Sequence, residues 1–184
     1  MQGPAGIFIH KQSENDVVML ATGTGIAPIY SIIYTQLSTS YPPATPKRSF
    51  GGRGKLQDTS YKKQATNYYL FWGLKYKQNI YLKSELDELA SKNPNFQYKI
   101  CLSQEIDISD PNCMKGRVTH GYQIFSESYP PATPKRSFGG RGKLQVTSCD
   151  YYICGGKHIV DSLREYLSEK NIPKTQIHFE KFTI

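Results

Sequence analysis

"VVMLATGTGIAPIYSIIY" occupies residues 17–34 and decides how the rest of the chain is read. Its first five letters form a continuous apolar run of strand length, which suits a strand buried on both faces. A glycine-rich turn follows, and then a helical pattern over 28–37. Gly23 and Gly25 let the backbone turn sharply and let an anion approach main-chain N–H groups with no Cβ in the way. Pro28 fits the first turn of a helix, where its missing N–H costs nothing. Two readings stand: a tight turn that needs glycines, or an anion cradle at a helix N-terminus. Pro28 stands where the third glycine of a G-x-G-x-x-G dinucleotide fingerprint would fall.

Outward from this stretch, short apolar runs alternate with helical patterns. "YYLFWG" (68–73) predicts a second buried strand. "YLKSELDELASKN" (81–93) sets Leu82, Leu86 and Leu89 on one helix face, closed by Pro94. "FQYKICLS" (96–103) predicts a third strand, "VTHGYQIF" (118–125) a helix and "DYYICGG" (150–156) a fourth strand. "HIVDSLREYLSEKN" (158–171) aligns Ile159, Leu163, Tyr166 and Leu167, and "QIHFEKF" (176–182) closes as a fifth strand. The alternation predicts an α/β fold: a doubly wound five-stranded parallel sheet with helices on both faces, because each parallel connection needs a crossover. Ligands of such sheets bind beyond the carboxyl ends of the strands, where strand order reverses.

The chain has 184 residues, enough for one domain, with a net charge of +8. That charge has a local origin. "SYPPATPKRSFGGRGKLQ" occurs at 40–57 and again, letter for letter, at 128–145. Over 40–60 against 128–148 the two differ only at Asp58 and Val146. The identical stretches hold eight of the 23 basic residues and no acid, so the remaining 15 basic side chains balance the 15 acidic ones. Both copies fall on helix-to-strand connections as long basic loops, at the sheet edge opposite any ligand. Lengthening such a loop from ~4 to ~22 residues costs only about 1.5 kcal/mol in closure entropy. The chain is therefore expected to be one domain, 1–184, with a duplicated flexible insert at 40–60 and 128–148.

No apolar run approaches the ~20 residues needed to span a bilayer, and the start of the chain lacks the pattern of a secretory signal. A cytoplasmic address with no membrane partner is the expectation. Four cysteines show no metal-finger spacing, and four histidines are scattered singly. Reduced thiols and no metal site are expected.

Four motifs in order resemble the NAD(P)-binding domain of ferredoxin-NADP reductase-type flavoenzymes: "ATGTGIAP", "FWGLKYKQNIYLKSELDELA", "YYICGGKHIVDSLREYL" and "HFEKF". The likeness is to reductase components of bacterial oxygenases and to flavin reductases, and it implies a Rossmann-like core. "GPAGIF" (3–8) is similar to the segment that joins the flavin domain to this one. The resemblance implies that Thr22, Gly23, Thr24, Gly25, Ile26, Ala27 and Pro28 hold the dinucleotide at its pyrophosphate and nicotinamide side. Gly73 and Lys75 match a G-x-R position, where lysine supplies charge without the planar fork of arginine. Ser103 and Gln104 match the Ser-Arg pair that grips a 2′-phosphate, and a neutral Gln104 favours NADH over NADPH. Cys154 and Gly155 match the C-G pair beside the nicotinamide, with Gly156 in place of the usual proline. Glu180 and Phe182 match a terminal acid-x-aromatic pattern, whose ring packs near the flavin; Thr183 and Ile184 would swing aside. Cys154 and Glu180 are thus the catalytic candidates.

The resemblance also implies FAD on a preceding domain and a downstream electron acceptor, and no segment here matches that domain. The chain is expected to be a fragment, inactive alone, with NADH or NADPH as its ligand. The repeats suggest an engineered scaffold that displays one foreign peptide twice, against a recent natural duplication. A rival reading puts the activity in the Pro/Gly/Arg loops, as a binding module for a peptide-binding protein or a nucleic acid.

Overall fold

The computed structural model describes residues 8–11, 13, 15–38, 66–128 and 149–182. The repeated segments between residues 39 and 65 and between 129 and 148 lie outside the described residues, as do residues 1–7, which hold most of "GPAGIF", and 183–184.

The chain runs β1 (Asp16–Thr22), a 3-10 turn (Gly23–Gly25), α1 (Ile26–Ser38), β2 (Tyr68–Leu74), α2 (Lys83–Lys92), β3 (Phe96–Leu102) and β4 (Cys113–Lys115). It continues through α3 (Val118–Ser128), β5 (Cys149–Gly156), α4 (Lys157–Glu169) and β6 (Ile177–Phe182). All pairings are parallel, in the order β4-β3-β2-β1-β5-β6. Among the described residues the sheet has six strands, where the sequence predicts five. The added strand, β4, spans three residues, too few to show an alternating pattern. Backbone hydrogen bonds from Ile100 N to Asn112 O (2.8 Å) and from Gly116 N to Leu102 O (3.0 Å) hold it to β3.

The reading of 17–21 as a strand covered on both sides is borne out, since Val17 to Ala21 are each no more than 1% exposed. Val17, Met19 and Ala21 meet Ile29, Ile33 and Leu37 of α1, in a layer shared with Leu86 and Leu89 of α2. Val18 and Leu20 belong to the opposite layer, with Val118 and Tyr122 of α3 and Val160, Leu163 and Leu167 of α4. Burying each such aliphatic side chain contributes roughly 1.5–3 kcal/mol, so period-two alternation on β1 binds both helical layers to one strand. One helix face turns differently from expectation: Ile159 is 45% exposed, and Val160 takes its place in the core. Leu163 and Leu167 are buried as expected and Tyr166 packs against them, so only the first position of the face moves by one residue.

The helices that follow β1 and β2 lie on one face and those that precede and follow β5 on the other. The winding therefore reverses between β1 and β5. Among the described residues no helix is long and apolar enough to cross a membrane.

Candidate functional site at the carboxyl edge of the sheet

Strand order reverses between β1 and β5, and their ends meet in register, Ala21 opposite Cys154. Two glycines allow the approach. A Cβ on Gly25 would stand 2.2 Å from the carbonyl oxygen of Cys154, and one on Gly155 would stand 2.1 Å from Thr22 Oγ1. The turn after β1 is thus pressed onto the end of β5. The contact with the Cys154 carbonyl by itself leaves no room for a side chain at Gly25. The open positions are Gly23, at φ +53°, and Gly156, where a Cβ would meet nothing within 4 Å.

Trp72, fully buried in β2, donates from Nε1 to Gly23 O at 2.9 Å. This bond draws the carbonyl of the turn toward the sheet. Beyond the turn, α1 presents the amide end of a 13-residue helix, with no acidic side chain in its first turn. The N-terminus of α4, capped by Gly156 and likewise free of acid, stands after the neighbouring strand. Both partial positive charges face the same crevice. Thr24 and Ala27 are exposed at its rim, Pro28 is half-buried, and Ile26 anchors the helix in the core.

The candidates on β2 and β3 come together one and two strands away. Gly73 pairs with Thr22 on one side and Cys101 on the other. Its missing Cβ leaves room for the Val118 side chain, which would stand at 2.5 Å. Ser103 N donates to Leu74 O and Gln104 N to Lys75 O, each at 3.0 Å, so the loops after β2 and β3 are fastened side by side. Lys75, Ser103 and Gln104 are exposed there.

At the other end, Cys154 faces Glu180 and Gly156 faces Phe182 across the β5 and β6 pair. Cys154 is 1% exposed, and burial, helped by the nearby Glu180 carboxylate, pushes its thiol up to about 12. It is a neutral, compact wall beneath the turn at pH 7. Phe182 is half-buried and rests on the core layer of α1. All four cysteines are free thiols. Clefts between α4 and β6, lined by Arg164 and Phe179, and beside β3 and α3, lined by Phe125 and Gln97, hold none of the candidate residues.

Three features escape the sequence reading. Trp72 holds the turn, and the single tryptophan of the chain placed just before Gly73 is the signal that could have found it. Glu105, one residue past Gln104, accepts from Lys77 N at 2.8 Å. Residues 8–11, 13 and 15 form a strap on the amino half of β5. His10 stacks on Tyr152, Lys11 N donates to the Tyr152 hydroxyl at 2.9 Å, and Ser13 and Asn15 donate to buried Asp150. Nothing local in "HKQSEND" signals that docking.

A doubly wound parallel sheet with a glycine turn at its switch point and two helix amide ends facing one crevice is the architecture of a nucleotide-binding domain. The profile of the oxidoreductase NAD-binding domain matches residues 19–165, and the chain belongs to that family. It is similar to the toluate 1,2-dioxygenase electron transfer component of Pseudomonas putida, 24% identical over 99% of this chain and 41% of that protein. It is similar to a component of the Na(+)-translocating NADH-quinone reductase of Actinobacillus pleuropneumoniae, 24% identical over 84% of this chain and 29% of that one. The Amycolatopsis cytochrome P450 reductase GcoB shares the fold, with TM-score 0.66, 22% identity and coverage of 99% of this chain and 43% of its own. The CS-b5R domains of human Ncb5or, in the NAD+ form, superpose at TM-score 0.57 with 21% identity, over 92% of this chain and 39% of theirs. The chain spans less than half the length of each of these proteins.

Proposed function

We propose that this domain holds a reduced nicotinamide dinucleotide, NADH or NADPH, along the carboxyl edge of its sheet and presents it to a flavin carried by another part of an electron-transfer reductase. The observation that carries the reading is the interlocked switch point: Gly25 against Cys154, Gly155 against Thr22, and open backbone at Gly23 and Gly156. Such a crevice fits a diphosphate, whose charge is met by backbone N–H groups and two helix ends. When bound, the reduced nicotinamide supplies a hydride.

The residues divide the task. Thr22, Gly23, Thr24 and Gly25, with the start of α1 from Ile26 to Pro28, cradle the diphosphate. Gly73, Lys75, Ser103 and Gln104 form the floor and rim on the adenosine side. Gly155 and Gly156 leave space for the nicotinamide, and Cys154 supplies a neutral surface that fixes the depth of the ring. Glu180 and Phe182 stand at the outer end of that pocket, where a flavin ring would approach. FAD and a downstream electron acceptor belong to the longer protein, and the relatives named above are described as electron transfer components or reductases. The duplicated basic segments take no part in this reading.

Binding is tested by calorimetric titration of the chain and of Gly156→Leu with NADH and NADPH. Gly156 has φ −63° and open space, so leucine fits the backbone and fills the crevice. Unchanged melting of the apo variant with binding weakened at least about tenfold is the expected result. Undiminished binding in the variant, or none in the parent, contradicts the assignment.

A further inference from the structure

NADH and NADPH differ by one phosphate on the adenosine ribose, and the loops after β2 and β3 carry a group that tells them apart. We propose that Glu105 is a specificity-determining residue that accepts a free ribose 2′-hydroxyl and repels a 2′-phosphate, so that the domain takes NADH; this rests on the dinucleotide lying along the strand ends as read above.

In doubly wound nucleotide domains the adenosine ribose sits at the end of the second strand, where an acid accepts from its hydroxyls. Here β2 ends at Leu74, and the residues that follow, Lys75 to Asn79, include no acid. The acid comes instead from the neighbouring loop. The two bonds that fasten Ser103 to Leu74 and Gln104 to Lys75 bring Glu105 against the backbone of Lys77, and Lys77 N donates to its Oε2 at 2.8 Å. That bond fixes the carboxylate beside the end of β2. A carboxylate has room for about four hydrogen bonds, and Lys77 takes one of them.

The residues around it do not build a phosphate clamp. Ser103 donates its hydroxyl back to Leu74 O at 3.3 Å, turned toward the backbone. Gln104 is neutral. Lys75 and Lys77 are point charges, without the planar fork that binds phosphate in two places, and they attract the diphosphate common to both dinucleotides. Lys115 ends β4 opposite Leu102 and Arg117 lies just past that strand, while Glu105 accepts from Lys77 N. A phosphate dianion held next to Glu105 would be repelled by its like charge.

The test compares ADP-ribose with its 2′-phosphorylated form, and NADH with NADPH, by calorimetry at low salt on the full chain and on Glu105→Gln. The parent is expected to favour the unphosphorylated ligand of each pair by about tenfold or more. In Glu105→Gln, whose amide oxygen still accepts from a hydroxyl, the phosphorylated ligands are expected to gain at least about fivefold while NADH changes by less than about threefold. Equal or tighter binding of the phosphorylated ligands by the parent overturns the proposal alone, and needs no variant to fold. So does a Glu105→Gln effect that is the same on both members of a pair. Absence of binding by all four ligands overturns the dinucleotide reading and this proposal with it.

Discussion

Gly25, Gly155 and Gly156 stand within one turn of each other and are glycine for different reasons. At Gly25 and Gly155 a methyl group would strike the backbone carbonyl of Cys154 or the hydroxyl of Thr22. Gly25→Ala is therefore expected to cost about 1–3 kcal/mol in urea unfolding, as overpacking does, while Gly156→Ala stays within about 1 kcal/mol of the parent. The G-x-G spacing and its place after a buried strand were legible in the sequence. Which glycine faces the open crevice and which faces the sheet was not, because that depends on how closely β5, more than 120 residues further on, approaches the turn. Residue-scale chemistry yields a second expectation. Burial raises the thiols of Cys101 and Cys154 to about 12 and that of Cys149 to about 11, and that of Cys113 is raised as well. Iodoacetamide at pH 8 should leave these thiols unmodified over the time in which it labels all four in urea. Rapid labelling of Cys154 in the folded chain would show that the carboxyl edge opens.

The strap and the α2 corner show what whole elements contribute. His10 and His178 flank Tyr152, and burial lowers both imidazoles below their ordinary range, with Asp150 opposing the shift in each case. The unfolded chain then takes up protons first as pH falls. The strap's contribution is complete above pH ~6.5 and is lost as pH drops through the lower folded-state values. The urea midpoint should fall between pH 7 and pH 5.5, and His10→Phe should flatten that slope; an unchanged slope would show that His10 does not titrate on the strap. At the other end of the sheet, Lys83 of α2 pairs with Asp87 and Asp110, and Asp87 also accepts from Tyr98 and Asn112. These bonds hold the carboxyl of Asp87 below the usual carboxylate range and join α2 to β3 and to the start of β4. Asp87→Ala should cost about 1–2 kcal/mol, with amide exchange quickening first at β4. The leucine spacing of α2 was readable from the sequence. β4 was not, since its three residues are a strand only by virtue of this corner and the backbone of β3.

Across the whole molecule, the strands that follow the duplicated segments in sequence, β2 and β5, start on the amino edge of the sheet. Residues 39–67 lead into β2 and residues 129–148 into β5, the two strands that flank β1, and both strands begin on the amino edge, opposite the crevice. The 15 acidic side chains balance the basic ones outside the repeats, so the +8 arises in the segments that lead into those two strands. Replacing 40–60 and 128–148 by short glycine-serine links should leave the melting temperature within a few degrees and dinucleotide affinity within about threefold. The α/β class, the parallel pairing and the carboxyl-edge location all follow from the alternation of buried runs and helical faces. The exact strand count and the inner packing of the crevice required the tertiary contacts themselves. The most direct test of the account is a map of backbone amide shifts during titration of the isotope-labelled chain with NADH. Shifts concentrated at residues 22–27 and 154–158, with smaller ones at 73–77 and 103–105, are the expected result; shifts confined to the amino edge, or none at saturating dinucleotide, would contradict it.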